Sequence, residues 1–270
     1  MSKLKKALEK AKEARGTSSD QGVDSSPPPR PTSGEKAAQN SFLPFKPSYT
    51  TTKIQKCEFS FLKKNRIMPV CTEAGADQVK ILRTQIFQSL NNGAKNTLLV
   101  TSANPGEGKT LTAINLAISC SHQTNKTVLL VDGDIRKPAI CKYLGLDEGP
   151  GLSDYLIGKA EIADVLINPG LERIVILPGG RPLTNSAELL GSPRMGVLLQ
   201  EMKERYQDRF IIFDAAPVLA SADPLVLANL MDGILIVVEA EKTKREDIKK
   251  VFDILRGKPI IGTVFNKMIE

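Results

Sequence analysis

Apolar and polar positions alternate in two patterns from about residue 72 to the end of the chain. Short apolar runs between turn residues predict buried strands, and longer stretches with apolar residues three and four positions apart predict helices. The predicted strands cover residues 97–102, 127–131, 173–177, 209–213, 233–238 and 260–265. The predicted helices cover residues 73–91, 109–122, 139–145, 152–157, 186–206, 222–231 and 243–256. This alternation predicts an α/β fold with a mostly parallel sheet and helices on both faces.

The chain before residue 72 has a different composition, with lysines first and then many Pro, Ser and Thr residues. A Pro- and Ser-rich stretch predicts a disordered linker, because it buries too little apolar surface to fold. The stretch 51–70 fits no element, although a short segment could pack onto the domain through Phe59, Phe61 and Leu62. The predicted units are a basic helix at residues 1–15, a disordered linker at 16–71 and a globular domain at 72–270.

The net charge of +7 is concentrated before the domain. Residues 1–66 hold 14 basic and 6 acidic residues, and the rest of the chain holds 23 basic and 24 acidic residues. A domain without a basic surplus argues against a nucleic-acid partner, whereas the basic arm suits an acidic partner or an anionic membrane surface. No apolar run is long enough for a transmembrane helix, and the cysteines have no metal-ligand spacing.

A glycine-rich loop joins the first strand of the predicted domain to the following helix. Residues 102–110 read Ser-Ala-Asn-Pro-Gly-Glu-Gly-Lys-Thr, and this order of strand, loop and helix is typical of a phosphate-binding loop. Lys109 would reach the terminal phosphates, and the Thr110 hydroxyl could hold Mg²⁺. Ala103 stands where the consensus has glycine. The predicted nucleotide-binding residues are Asn104, Pro105, Gly106, Glu107, Gly108, Lys109, Thr110 and Leu111.

Three aspartates follow predicted strands. Asp132 and Asp134 end one apolar run, and Asp214 ends another. Side chains at the carboxyl ends of parallel strands project into the ligand crevice, where phosphoryl transfer needs carboxylates for Mg²⁺ and for orienting the nucleophile. A single strand-end aspartate often only caps the next helix, but three around one phosphate loop predict a metal site.

The Asp-x-Asp-x-Arg element at residues 132–136 resembles the second nucleotide motif of bacterial tyrosine kinases, the cytoplasmic autokinases of polysaccharide export. That family belongs to the Walker-type P-loop ATPases with a MinD/ParA-like fold. Matching stretches lie at residues 105–110, 182–192, 213–217, 232–233 and 266–267. The second Walker stretch here carries Ala-Ala-Pro after its aspartate, where the family usually has Thr-Pro-Pro. The resemblance covers residues 72–267.

The resemblance implies ATP and Mg²⁺ as cofactors and Lys109, Asp132 and Asp134 as catalytic residues. Asp132 would be the base that accepts the tyrosine hydroxyl proton, although the division of roles between Asp132 and Asp134 stays open. Thr110, Asp134 and Asp214 would hold the metal.

Outside the central motifs, the resemblance implies that Asn266 contacts adenine, although a cap at the end of its strand explains this residue nearly as well. It also implies self-association through helix 73–91, where Asp77, Lys80 and Arg83 stand in place of the family's Glu-x-x-Arg-x-x-Arg residues. The implied partners are protein tyrosine substrates and a transmembrane polysaccharide co-polymerase of the chain-length-determinant type. The expected location is the cytoplasm, at the inner face of the plasma membrane.

The function predicted from these features is an ATP- and Mg²⁺-dependent protein-tyrosine kinase that regulates exopolysaccharide or capsule production. The family's tyrosine-rich tail has no counterpart, since the tyrosines here are Tyr49, Tyr143, Tyr155 and Tyr206. Two alternatives are a MinD/ParA-like positioning ATPase and a degenerate ATP-binding subunit of an export complex. Asn104 counts against the first, because that class carries a lysine there.

Overall fold

The computed structural model describes residues 52–67, 76–90, 95–123, 126–204 and 208–268. Within these residues one sheet is formed by strands β1 (Lys53–Ile54), β2 (Thr97–Ser102), β3 (Thr127–Asp132), β4 (Ile167–Asn168), β5 (Ile174–Leu177), β6 (Arg209–Asp214), β7 (Gly233–Glu239) and β8 (Ile260–Asn266). The strand order is β1-β4-β5-β3-β6-β2-β7-β8. Every neighbouring pair is parallel except β4 with β5. The predicted α/β fold is therefore confirmed.

Helices connect the strands and cover both faces of the sheet. They are α1 (Phe59–Lys64), α2 (Ala76–Ser89), α3 (Lys109–Ser121), α4 (Ile140–Leu144), α5 (Leu152–Leu156), α6 (Ile162–Val165), α7 (Ser186–Leu190), α8 (Pro193–Glu204), α9 (Asp223–Leu227) and α10 (Arg245–Ile254). The single helix predicted at 186–206 is wrong, because Pro193 starts a new helix after a break at Gly191 and Ser192. The helix predicted at 222–231 ends early at Leu227.

The central strands are buried on both faces. Every residue of β2, β3 and β6 is buried, which explains why these strands appear in the sequence as continuous apolar runs. Their side chains divide by alternation: Leu99 and Phe213 belong to the core on one face, and Leu98 and Leu130 to the core on the other. A sheet covered in this way holds its strand ends rigidly, so residues that follow those ends are well positioned for a site.

The segment before the domain is partly built into the sheet. Strand β1 pairs with β4, and Leu62 and Ile67 are buried in the core. The linker predicted at 16–71 therefore does not include residues 52–67. Of the three side chains expected to pack, Leu62 does so and Phe61 lies against Gly145, whereas Phe59 is 58% exposed. The helix predicted at residues 1–15 and the linker as far as residue 51 lie outside the described residues.

Helix α2 packs on α3 rather than standing free. Ile86 and Phe87 are buried, and the ring centroids of Phe87 and Phe210 are 5.0 Å apart. Arg83 Nη1 donates a hydrogen bond of 2.7 Å to the Ser119 carbonyl near the end of α3, where cations complement the helix dipole. No helix among the described ranges has the length and apolar character needed to cross a bilayer.

Candidate nucleotide site

The loop between β2 and α3 has the backbone of a phosphate cradle. Gly106 has a φ of +84° and Gly108 a φ of +96°, both in the left-handed region that glycine adopts without strain. Gly108 directly precedes α3, whose first residue is Lys109. The unpaired N–H groups and the dipole at a helix N-terminus favour an anion. The strand, loop and helix predicted around residues 102–110 are all present.

The carboxylate of Glu107 braces this loop from inside. Glu107 is only 3% exposed, and it accepts hydrogen bonds from the Asn104 backbone N–H at 3.0 Å and from the Thr243 hydroxyl at 2.6 Å. Asn104 Nδ2 in turn lies 3.3 Å from Asp247 Oδ2 on α10. The Glu107 side chain is thus engaged within the protein, and its predicted nucleotide contact stays a prediction.

The end of β8 closes the loop from the other side. Asn266 Nδ2 donates a hydrogen bond of 2.9 Å to the Glu107 carbonyl. Lys267 Nζ donates one of 2.8 Å to the Gly106 carbonyl and lies 3.1 Å from Glu239 Oε2. The hydrogen bond from Lys267 is the main reason that the pKa of the Glu239 carboxyl is lowered. Asn266 therefore acts as a brace on the loop, and its predicted adenine contact stays a prediction.

The predicted catalytic lysine meets two of the predicted aspartates. Lys109 Nζ lies 3.2 Å from Asp134 Oδ2, 3.5 Å from Asp214 Oδ1 and 3.2 Å from the Thr110 hydroxyl. Asp132 and Asp214 are register partners at the ends of β3 and β6. Residues separated by up to about a hundred positions thus converge because parallel strands end at the same edge of the sheet.

Burial shifts the ionisation of these groups. The Asp132 pKa rises to about 7, first because the carboxyl is buried and second because Asp214 is near. The hydrogen bonds from the N–H groups of Ile140 and Ala139 lower this pKa but do not offset the rise. Burial likewise raises the Asp214 pKa, although Lys109 opposes it. Burial alone would lower the Lys109 pKa, but the surrounding carboxylates more than offset it and the net shift is upward. Three carboxyls around one ammonium leave the site short of positive charge.

The donor atoms at this edge fit a magnesium ion. Asp132 Oδ1 and Asp214 Oδ2 are buried and have no hydrogen-bond partner. Such orphaned oxygens are costly unless a cation or water satisfies them. Across the described ranges no cluster of three His, Cys, Asp or Glu side chains forms a complete metal cage. In phosphate sites Mg²⁺ takes one or two carboxylates plus waters and phosphate oxygens, and the carboxylates at this edge could supply the protein's share.

Asp132 and Asp134 face different spaces. Asp134 lines the large open cleft of about 1070 Å³ that contains the phosphate loop. Asp132 borders a separate, small cavity beside Pro138 and Gly179, and Ala139 lines both spaces. Asp132 Oδ2 accepts hydrogen bonds from the N–H groups of Ala139 at 2.8 Å and Ile140 at 2.9 Å, which caps α4. Its other oxygen is the one without a partner.

Several lining residues of the large cleft were given no role from the sequence. They are Arg66, Tyr143, Ser221, Glu239, Lys267 and Met268. Sequence reasoning missed them because they come from segments that only the tertiary fold brings beside the loop. The Asn-Lys pair at the end of the last strand was the one available signal, and Lys267 in it carried no assigned role.

The other matched stretches support the site from nearby. The Thr101 hydroxyl donates a hydrogen bond of 2.7 Å to the Ala216 carbonyl, so the loop after β6 is tied to β2 despite its unusual Ala-Ala-Pro. Arg136 Nη2 donates one of 3.1 Å to the Thr184 carbonyl. In α7, the Ser186 hydroxyl donates one of 2.9 Å to Asp223. Residues 182–192 therefore hold the walls together and do not reach Lys109.

The charges expected to drive self-association are already engaged within the chain. Lys80 Nζ lies 2.8 Å from Asp77 Oδ1 on an exposed face of α2. Arg83 is bound to α3, as described above. Self-association through this helix stays a prediction.

Comparison with known proteins identifies the family. The profile of the AAA domain matches residues 96–258. The tyrosine-protein kinase YwqD of Bacillus subtilis strain 168 is 34% identical over 194 residues, which cover 71% of this chain and 80% of YwqD. Some of the other curated tyrosine-protein kinases that it matches are longer, and the chain spans between 23% and 28% of those.

Solved structures agree. The VpsO kinase domain has a TM-score of 0.67 and 31% identity, over 77% of this chain and 99% of that domain. The septum site-determining protein MinD of Pyrococcus horikoshii, complexed with Mg-ADP, has a TM-score of 0.53 and 23% identity, over 63% of this chain and 69% of MinD. MinD thus shares the fold alone. The phosphate loop, the two strand-end aspartate motifs and these similarities together show that the chain belongs to the AAA-domain P-loop family and, within it, to the bacterial tyrosine-protein kinases.

Proposed function

We propose that the protein is an ATP- and Mg²⁺-dependent protein-tyrosine kinase of exopolysaccharide or capsule production. The observation that carries the proposal is the convergence of Lys109, Asp134 and Asp214 at the open edge of the sheet, beside a glycine loop shaped for phosphate. Phosphoryl transfer requires little beyond positioning and charge stabilisation, and this edge supplies both.

The loop N–H groups and Lys109 bind and orient the phosphates. Thr110, Asp134 and Asp214 are the residues that would hold Mg²⁺, which when bound neutralises the charge that develops on the transferred phosphoryl group. Lys109 is held in position by Asp134 and Asp214 and lines the cleft. The brace through Glu107 keeps the loop in shape before ATP arrives, which lowers the ordering cost of binding.

Asp132 is the proposed proton acceptor for the tyrosine hydroxyl. A general base works best when its pKa is near the operating pH, and the Asp132 pKa is raised to about 7 by burial and by Asp214. Its Oδ1 has no partner, while Oδ2 is held by the N-terminus of α4. One oxygen is thus fixed and the other, although buried, has its lone pairs unengaged. Asp132 borders the small cavity next to the cleft, and Ala139 lines both spaces.

Substitution of the loop lysine tests the proposal. Lys109→Met should abolish ATP-dependent phosphotyrosine formation, measured with a phosphotyrosine antibody and by mass spectrometry in the presence of the cognate membrane activator. Lys249→Met, an exposed lysine of α10 outside the cleft, is the matched control and should retain activity. The kinase proposal fails if the wild-type protein with its activator forms no phosphotyrosine on itself or on added tyrosine substrates.

A positioning ATPase is the second candidate, and one observation weighs against it. Asn104 takes the place of the lysine expected in that class, and its side-chain amide points to Asp247 of the same chain. ATP hydrolysis that DNA or lipid vesicles stimulate, without phosphotyrosine, would favour this candidate. ATP binding with neither product would favour a regulatory subunit.

The proposed partners follow from the same family membership. A transmembrane polysaccharide co-polymerase would recruit the protein to the inner face of the membrane, and a second copy would associate through α2. Co-purification with the membrane partner and light scattering with and without Mg-ATP test these two contacts separately.

A further inference from the structure

The segment of residues 52–67 contributes one residue, Arg66, to the lining of the nucleotide cleft. Strand β1 pairs with β4, and Asn65 Nδ2 donates a hydrogen bond of 2.8 Å to the Tyr143 carbonyl. Asn115 Nδ2 on α3 donates one of 3.4 Å to the carbonyl of Arg66. The segment is therefore fixed against the same helix whose N-terminus carries Lys109, and Arg66 is its residue that lines the cleft.

Arg66 occupies a position where glycine is the usual residue. The Ile67 N–H donates a hydrogen bond of 3.0 Å to the Leu62 carbonyl, and the Arg66 N–H donates one of 3.0 Å to the Lys63 carbonyl. These two bonds form a Schellman motif at the end of α1, with the buried pair Leu62 and Ile67 as its apolar contact. Arg66 has the left-handed φ of +59° that the motif requires, which is strained for a residue with a Cβ.

Arg66 is exposed and lines the cleft. Within the part of the chain that the structure describes, its guanidinium has no hydrogen-bond or ion-pair partner. Leu111, which lies on the first turn of α3 after Lys109, lines the cleft with it, as does Tyr143. A strained backbone in a functional cleft points from the outlier to a function for its side chain.

We propose that Arg66 is a nucleotide-binding residue whose guanidinium contacts the phosphates of ATP. Arginine offers a planar set of donors that suits phosphate oxygens, and it retains its charge throughout the physiological range. On this proposal, arginine stands at the strained position because glycine, which would fit the turn without strain, could not make the phosphate contact. The inference rests on the proposed function only in requiring that this cleft binds ATP.

Arg66→Gly separates the two roles, because it relaxes the backbone while it removes the charge. We expect a higher melting temperature without nucleotide and an affinity for Mg-ATP about tenfold weaker, the change that one charge-assisted contact supplies. Calorimetric titration of the full chain should show the largest loss of affinity for ATP, a smaller loss for ADP and no loss for adenosine. Arg66→Lys should retain part of the affinity, and Arg66→Gln should lose it without a gain in melting temperature.

Two control variants isolate the causes. Lys64→Ala removes a neighbouring exposed positive charge of α1 that does not line the cleft, and it should leave ATP affinity unchanged. Glu241→Gly removes a side chain from another left-handed position, at φ +61°, and should raise the melting temperature without weakening ATP binding.

Unchanged ATP affinity in Arg66→Gly, with normal binding by the wild type, overturns the inference and leaves the kinase proposal standing. An equal loss for adenosine and ATP also overturns it, because the contact would then be to the nucleoside. If the wild-type chain binds no ATP, the proposed function falls and this inference falls with it.

Discussion

The two walls of the nucleotide cleft differ in where they come from and in how they are held. One wall is built at the ends of β2, β3 and β6, whose residues are all buried, and it carries Lys109 and the aspartates. The other, peripheral wall has two separate parts, Arg66 at the end of α1 and the end of β8, which is the edge strand opposite β1 and whose residues are mostly half-buried. In the buried wall the pKa values of Lys109, Asp132 and Asp214 are raised. The peripheral wall carries exposed cations and the hydrogen bonds from the end of β8 to the phosphate loop. The groups proposed for the chemistry thus depend on burial, whereas the shape of the loop depends on contacts at its rim.

The largest effect is expected from substitutions in the buried wall. Asp132→Asn should lower kcat by about a hundredfold or more, the range that a positioned base contributes, with little change in ATP affinity. The asparagine Oδ1 can still accept the two N–H groups of α4, so the fold should be retained. Asp134→Asn should instead weaken binding of Mg-ATP, because Asp134 faces the cleft. Single-turnover kinetics and calorimetry separate the two effects, and the opposite pattern would exchange the two roles.

A smaller effect is expected from substitutions in the loop where the end of β8 contacts it. Gly108→Ala places a Cβ against the Asn266 side chain at a φ of +96°, whereas Gly106→Ala meets nothing within 4 Å at a φ of +84°. Both changes cost the left-handed strain of about 1–2 kcal/mol, but only Gly108→Ala also displaces the β8 brace. ATP affinity measured by calorimetry should therefore fall further in Gly108→Ala.

The matched double variant sharpens this contrast. Asn266→Ala in the Gly108→Ala background should restore part of the affinity, since it removes the collision. Equal affinities for Gly106→Ala and Gly108→Ala would show that the end of β8 does not shape the loop.

The smallest expected effect concerns stability and pH in the metal-free protein. The folded Asp132 keeps its proton up to a pKa of about 7, whereas the unfolded residue loses it near its ordinary value of 3.8. Between these values the folded state binds more protons, so this group's contribution to stability falls as the pH rises from about 4 to 7. The melting temperature in EDTA should be lower at pH 8 than at pH 5.5, and Asp132→Asn should reduce that slope. A slope that is unchanged in the variant would contradict the shift.

The predictable part of the structure is the part that follows local rules. All strands from β2 to β8, except the two-residue β4, appear in the sequence as apolar runs bounded by turns. The glycine loop could be placed because its type depends on neighbouring residues. The segment around α1 could not be predicted, because its order depends on Leu62 and Ile67 reaching a core made elsewhere. The break at Pro193 was missed, although proline at a helix start is a local signal.

The site shows the same division at the level of residues. The phosphate loop, Lys109 and the three strand-end aspartates can be identified from the sequence alone, since each comes after a strand whose apolar run fixes its direction. Three outcomes appear only in the folded chain: Glu107 turns inward to Thr243, Asp132 and Asp134 face different spaces, and Arg66 lines the cleft. Those outcomes depend on contacts between distant segments, and the hydrophobic pattern of a chain specifies which residues are buried but not which of them meet.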